Sequence, residues 1–284
     1  MRINFISHWF VAAALTVFGA LVSAQIIDVR TGKETDESTL VEILKSADFV
    51  LLGELHDNKA HHEIRGKLIS RFADNRHTVV SEHFPAPNQV TFQSDTKADL
   101  VAAGFDAEGW DWPIHQLLYE QIKNKGLSVV GGNLPKEEAK RMFLQGVSSL
   151  PERMAQTYTK SRLDGAAERK LDHDLVEGHC GKLPEKYLLR MRFAQRMTDL
   201  SLAHNLLDRR PSLLIAGNGH VRRDYGVPQI LASVAPERKV VSVGFLELGG
   251  DPQDLLQSVS GQYDFIWITE RAERKDPCEN FNLK

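Results

Sequence analysis

Two cysteines in 284 residues, Cys180 and Cys278, leave no material for a cysteine-rich metal finger or a multi-bridge disulfide framework. No lysine- or arginine-rich tract occurs, and basic residues are not interleaved with aromatic ones, so the usual footprint of nucleic-acid binding is missing. There is no Gly-x-Ser-x-Gly elbow, which argues against a serine hydrolase. No solenoid-type repeat and no low-complexity segment is present. Beyond the first two dozen residues, no apolar run approaches the roughly 20 residues that span a bilayer as a helix.

What is present starts at the N-terminus. Met1-Arg2 supplies a positive charge, Trp9 to Val22 an apolar core, and Val22-Ser23-Ala24 a small-residue cleavage site. This is the pattern of a secretory signal peptide over residues 1–24. The run is short for a membrane span, so cleavage near Ala24 is expected rather than an uncleaved anchor, with export to the periplasm or beyond. Residues 25–284 would remain, enough for one large domain or a domain with a subdomain. The leader holds one Arg and no acid, so 35 basic residues become 34 against 38 acidic, a net charge of −4. No cysteine stands at the cleavage point, so lipid attachment there is not expected. In an oxidising compartment Cys180 and Cys278 either bridge or remain two separate thiols, and their separation in sequence does not decide which.

Short apolar, β-rich runs recur at 48–53, 78–82, 127–132, 212–217, 239–245 and 264–269, with helical patterns between most of them. This alternation predicts an α/β fold: a mostly parallel central sheet flanked by helices. Ala60, Ile64, Leu68 and Phe72 mark one face of a helix capped by Asp57 or Asn58. Residues 113–125 form another helix, ended by Gly126. Residues 151–210 differ, with two long helical patterns broken at 178–184 and no strand between them. Leu189, Phe193, Met197, Leu200, His204 and Leu207 read as one continuous buried stripe. An inserted helical subdomain over about 135–210 is therefore expected.

The strand candidates end in polar residues. The first ends in Gly53-Glu54-Leu55-His56, the second in Ser81-Glu82-His83, the third in Gly131-Gly132-Asn133, and the fourth in Gly217-Asn218-Gly219-His220, followed by Val221-Arg222-Arg223-Asp224. Ligands of open α/β sheets bind at the carboxyl ends of strands. Glu54, His56, Glu82 and His220 form a nitrogen and oxygen set for a divalent metal ion, or an acid/base set around a water. His61 and His62 fall in the first turn of the following helix, whose positive end disfavours imidazolium and suits a neutral ligand, His61 in particular. Arg222 and Arg223 are candidates to clamp a carboxylate or phosphate. Gly53, Asn133, Gly217 and Asn218 would support the site. Each residue has a plainer reading beside the functional one: a solvated helix position for His61 or His62, packing against the helical subdomain for His83, a hydrogen-bonded core histidine for His204, a surface position for His173 and a structural ion pair for either arginine.

In order along the chain, the segments "LLGELHDNKAHH", "SEHF", "GGNLP", "GHCGKLP", "FAQRMTDLSLA" and "IAGNGHVRRDYGVP" resemble the ChaN-like haem-binding uptake proteins of the Tiki superfamily. The likeness covers roughly residues 51–228. The superfamily's paired Gly-x-x-His motifs look like Gly53–His56 and Gly217–His220, and its intervening glutamate looks like Glu82. The resemblance implies an α/β sheet with a helical subdomain, haem or an iron-containing small molecule as ligand, and a part in iron acquisition. Outer-membrane uptake machinery and a second copy of the chain are the macromolecular partners it suggests. Relatives such as Tiki proteases and erythromycin esterases imply an alternative, a metal-dependent hydrolase with Glu82 as catalytic base. Two departures stand out. The lipid-attachment cysteine common in the family is missing, and His83 stands where Met commonly follows the second-strand acid. The resemblance assigns an axial haem tyrosine to no residue of this chain.

Overall fold

The strand Phe49–Leu52 is buried along its whole length, and its side chains divide between two cores: Val50 and Leu52 join one, Phe49 and Leu51 the other. Neighbours along a strand point to opposite faces, so an apolar residue at every position is what a strand covered on both faces requires. In the computed structural model, which describes residues 25–93 and 95–279, this strand lies inside a nine-stranded sheet. The strands are β1 (Gln25–Asp28), β2 (Lys33–Thr35), β3 (Phe49–Leu52), β4 (Thr78–Pro85), β5 (Gln89–Val90), β6 (Ser128–Asn133), β7 (Ser212–Ile215), β8 (Val240–Glu247) and β9 (Phe265–Thr269). The helices are α1 (Glu37–Lys45), α2 (Lys59–Phe72), α3 (Thr96–Ala102), α4 (Trp112–Asn124), α5 (Lys136–Gln145), α6 (Glu152–Lys160), α7 (Gly165–Gly178), α8 (Glu185–Leu207), α9 (Val227–Val234) and α10 (Pro252–Ser258).

The strand order is β2-β1-β9-β8-β3-β7-β4-β6-β5. From β9 to β6 every pairing is parallel, and the antiparallel pairings lie towards the two edges. The carboxyl ends of β3, β7, β4 and β6 therefore stand side by side. Helices α1, α2 and α4 cover one face through Leu40, Leu44, Leu68, Phe72, Leu118 and Ile122. Helices α8 and α9 cover the other through Met197, Leu200, Leu206, Ile230 and Leu231.

Local patterning departs from expectation in three places. In α2 the buried stripe is His61, His62, Arg65, Gly66, Leu68, Ile69 and Phe72, whereas Ala60 is exposed and Ile64 only half-buried. The amino-terminal half of α2 packs against polar strand ends, so polar residues occupy its inner face. Its N-cap is Asn58, whose side chain accepts from the N–H groups of Ala60 and His61. In α8 the expected stripe is buried in its middle, but Leu189 is 68% exposed because the first turns project beyond the sheet. Residues 151–210 hold three helices rather than two, since the chain also breaks before Asp164, the N-cap of α7. The expected leader lies outside the described residues. Among the described residues no helix is long and apolar enough to cross a membrane. Cys180 and Cys278 form a disulfide, Cα to Cα 5.5 Å, the bridged alternative of the two left open by the sequence.

Candidate functional site

The polar strand ends meet, but in two groups on opposite faces of the sheet. Glu82 and His83 are consecutive residues of β4, so their side chains part. His83 turns towards α2 and α4, and Glu82 towards α8.

On the α2 side, Glu54 is the hub. Its Oε1 lies 2.7 Å from Nδ1 of His56 and 3.0 Å from Nε2 of His83. Ligand atoms of Glu54, His56 and His83 all lie within 4.8 Å of one another, the geometry of a nitrogen and oxygen group able to hold a metal ion. Glu54 and His83 are buried, while the His56 side chain is 46% exposed. The other oxygen of Glu54 rests against the guanidinium of Arg65, itself fully buried. Arg65 also donates to Nδ1 of His62 at 2.9 Å, leaving Nε2–H of His62 to donate to the His56 carbonyl at 2.9 Å. Burial holds His62 at a pKa of about 3, and lowers Arg65 to about 9. His83 is lowered well below its ordinary value, first by burial and then by Arg65. Its Nδ1 meets Ser81 Oγ at 2.9 Å and Tyr119 OH at 3.0 Å. A neutral ring that donates to Glu54 and accepts from a hydroxyl satisfies these contacts. His115 packs behind, its ring 4.0 Å from that of His62 and 4.7 Å from that of His83, and burial lowers it too. Trp110 closes the front, 5.0 Å from the His56 ring and 4.8 Å from that of His83. The exposed edge of His56 opens into a recess of about 270 Å³ walled by Trp110 and Ile114.

On the α8 side a charged row forms. His220 Nδ1 donates to Asp199 Oδ1 at 2.7 Å, and its Nε2 lies 3.2 Å from Glu82 Oε1. The second oxygen of Glu82 accepts from the Gly217 N–H at 2.7 Å. Burial works against charge on His220, yet Glu82 and Asp199 hold its pKa well above the ordinary value. Burial likewise opposes charge on Glu82, but His220, His56 and the Gly217 N–H carry it well below the carboxylate range. His220 thus stands between the Glu82 carboxylate and Asp199, whose own pKa is raised, chiefly by burial. Gly217 joins the two groups: a Cβ there would lie 2.9 Å from Nε2 of His56 and 3.7 Å from Oε2 of Glu82.

The remaining expected residues are placed as follows. His61 faces away from the other ligands. Its Nδ1 accepts from the Leu55 N–H at 2.9 Å, and its Nε2 meets Thr269 Oγ1 at 2.9 Å. Both nitrogens are used in fastening the loop before α2, and burial lowers its pKa to about 3. Arg222 and Arg223 are both paired with carboxylates of the fold. Arg222 is tied to Asp174 at 2.5 Å and Asp224 at 2.7 Å, and Arg223 to Asp264 at 2.8 Å. The ion pairs engage all three guanidinium nitrogens of Arg222, whereas Arg223 gives Nη1 to Asp264 and its side chain is 39% exposed. Asn218 clips β7 to β8 through both backbone groups of Phe245, and Asn133 donates to the Glu82 carbonyl at 3.1 Å. Gly53 leaves room for Asn218, since a Cβ there would fall 2.1 Å from its Oδ1. His83 packs against the α2 and α4 side rather than against α5 to α8, and His204 bonds Thr157 at 2.9 Å. Arg65, Trp110, His115 and Asp199 escaped the sequence reading. Arg65 could have been found, because positions 61, 62, 65 and 69 share one face of a helix.

Comparison with known proteins bears on this arrangement. ChaN of Campylobacter jejuni, in a structure described as cofacial haem binding, superposes with a TM-score of 0.68 at 20% identity, covering 86% of this chain and 96% of that one. At that identity the likeness is one of fold. A Bacillus cereus protein gives a TM-score of 0.34 at 16% identity over 75% of this chain and 70% of that one, too low to support any argument. No curated protein matches. Residues 40–231 match the family model for haem-binding uptake, ChaN, Tiki superfamily. That match spans well over half of the sequence, and the chain belongs to the ChaN haem-binding uptake family of the Tiki superfamily.

Proposed function

We propose that this chain is an exported protein of iron acquisition that binds haem, or the iron it carries, at the carboxyl edge of the sheet, with His56 as the accessible ligand. The observation that carries the reading is His56 itself: a half-exposed imidazole beside Trp110, held on its Nδ1 by the buried carboxylate of Glu54. A carboxylate on one ring nitrogen fixes the ring and raises the basicity of the other, as it does behind metal-ligating histidines. Glu82 and His220 support the site from the far side of Gly217. If the cargo is iron as an ion, Glu54, His56 and His83 are its ligands. Arg222 is left out of the binding role because its ion pairs already engage all three of its nitrogens. The disulfide fits an oxidising compartment outside the cytoplasm.

The metal-dependent hydrolase is the weaker reading. The family that the chain matches is one of haem-binding uptake proteins, not of hydrolases. The test is to purify the mature chain from the exported fraction and record its visible spectrum and metal content together. A Soret band with stoichiometric iron supports the haem reading. Zinc or manganese without a chromophore, together with ester or peptide hydrolysis, would replace it with the hydrolase.

A further inference from the structure

We propose that the Cys180–Cys278 disulfide is a latch, opened by a protein dithiol, that fastens a C-terminal strap across the rim carrying His56. Its consequence for ligand exchange rests on the reading of that rim as the haem or iron site.

The strap is residues 270–279. It leaves β9, which runs parallel to β8, and so begins on the carboxyl edge of the sheet where the site lies. Its first anchors hold the loop between β3 and α2. Asn58 donates to the Glu270 carbonyl at 3.3 Å and to Glu247 at 2.7 Å, and the Ala272 N–H donates to Glu247 at 2.9 Å. Arg274 then bridges Glu247 and Asp57, with its Nε 2.6 Å from the Asp57 carboxylate. Asp57 is the neighbour of His56. Four residues further on, Cys278 is bonded to Cys180 in the turn between α7 and α8. Four residues of extended chain reach about 14 Å at most, so the strap tethers the tip of the helical hairpin to Arg274 over a short span.

The start of α8, just beyond that tip, is only partly supported by the sheet. In α8 the residues buried against the sheet begin at Arg196, whereas Tyr187 and Leu189, near its start, are 40% and 68% exposed. The turn bearing Cys180 requires two successive left-handed residues, Cys180 at φ 57 and Gly181 at φ 67, and a side chain rarely occupies the first of these. Both cysteines are half-buried among exposed neighbours (Glu177, Gly178, Pro277 and Glu279), so an incoming thiolate can reach the bridge.

The exchange balances without a further co-reactant. A thiolate of the dithiol attacks one sulfur of the bridge, and the other leaves as a thiolate that is then protonated. The partner's second thiol resolves the mixed disulfide. Cys180 and Cys278 together gain two electrons and two protons, and the dithiol becomes a disulfide. Among the described residues, the strap then keeps the Glu247 and Asp57 contacts of Arg274 and the hydrogen bonds before it.

Hydrogen exchange read by mass spectrometry tests the latch on the mature chain, with the bridge intact, reduced by dithiothreitol, or removed in the Cys180→Ser/Cys278→Ser variant. Exchange should rise by about ten-fold or more in peptides covering 177–184, 270–279 and 54–58, while β3 and β7 stay protected. Faster exchange confined to the first two segments would overturn the proposal, because the rim would not sense the bridge. A rise throughout the sheet would also overturn it, because the bridge would then be a general staple. In stopped-flow mixing with haem, the reduced and double-serine forms should both associate several-fold faster than the bridged form. Equal rates would overturn the latch. Absence of haem binding in every form would instead sink the haem reading, and the exchange pattern would still decide the latch.

Discussion

Arg65 offers the sharpest perturbation of the buried centre. It is fully buried, its guanidinium lies against Glu54, and it donates to His62 at 2.9 Å and to the Leu52 carbonyl at 3.4 Å. Methionine would keep much of the stem and remove the charge. Glu54 would then face His56 and His83 without its counter-ion, and taking one partner from a buried pair costs about 3–5 kcal/mol. At about 2–4 °C per kcal/mol for a chain of this size, Arg65→Met should melt roughly 6–20 °C lower. The loss belongs to the stranded carboxylate, so adding Glu54→Gln should recover part of it. Urea unfolding followed by circular dichroism should give a coupling of about 2 kcal/mol in the double-mutant cycle. A single variant within about 1 kcal/mol of wild type, or losses that simply add, would refute the assignment of Arg65 as the charge that neutralises Glu54.

Three further outcomes are expected. Stability should fall with acid: His61 and His62 are neutral in the fold down to a pKa of about 3, whereas the unfolded chain protonates near 6.5. From about pH 6.5 down towards 3 each ring therefore removes up to ~1.4 kcal/mol per pH unit, and a flat urea midpoint between pH 6.5 and 4.5 would contradict their burial as neutral rings. His220 works in the opposite sense, since its raised pKa gives stability that is full below about 6.5 and fades as pH rises through the folded value. Gly217→Ala should fold normally, because the added Cβ meets the end of the half-exposed His56 side chain, but it should displace that ring and weaken haem binding by about ten-fold; unchanged binding would separate Gly217 from the site. N-terminal sequencing of the exported protein should begin at Gln25, the first residue of β1, and recovery of Met1 in a membrane pellet would contradict the leader reading.

The sheet was legible because its parallel strands are buried on both faces. Runs such as Phe49–Leu52 and Phe265–Thr269 need no tertiary information to be recognised. The edge pieces β1, β2 and β5 were not, being two to four residues long and partly polar. Strand-end polarity located Glu54, His56, Glu82 and His220, but not the division of the site. Glu82 and His83 part because adjacent strand residues face opposite ways, and which face receives which group depends on the partners that fold against it. Arg65 and Asp199 were missed because a helix face was sought through its apolar members, whereas these buried positions hold charge paired across elements. The arginines of Val221-Arg222-Arg223-Asp224 suggested an anion clamp in isolation, and in the fold Asp174 and Asp264, distant in sequence, pair with them. Nothing local in the sequence announces those two partners.

Titration of the purified mature chain with haem, followed in the Soret region and repeated with His56→Ala and Glu82→Gln, tests the central claim most directly. Wild type should saturate, His56→Ala should bind about ten-fold or more weakly through loss of the ligating imidazole, and Glu82→Gln should change affinity little. Equal affinity of wild type and His56→Ala would contradict the claim that haem is held through His56 at the strand ends.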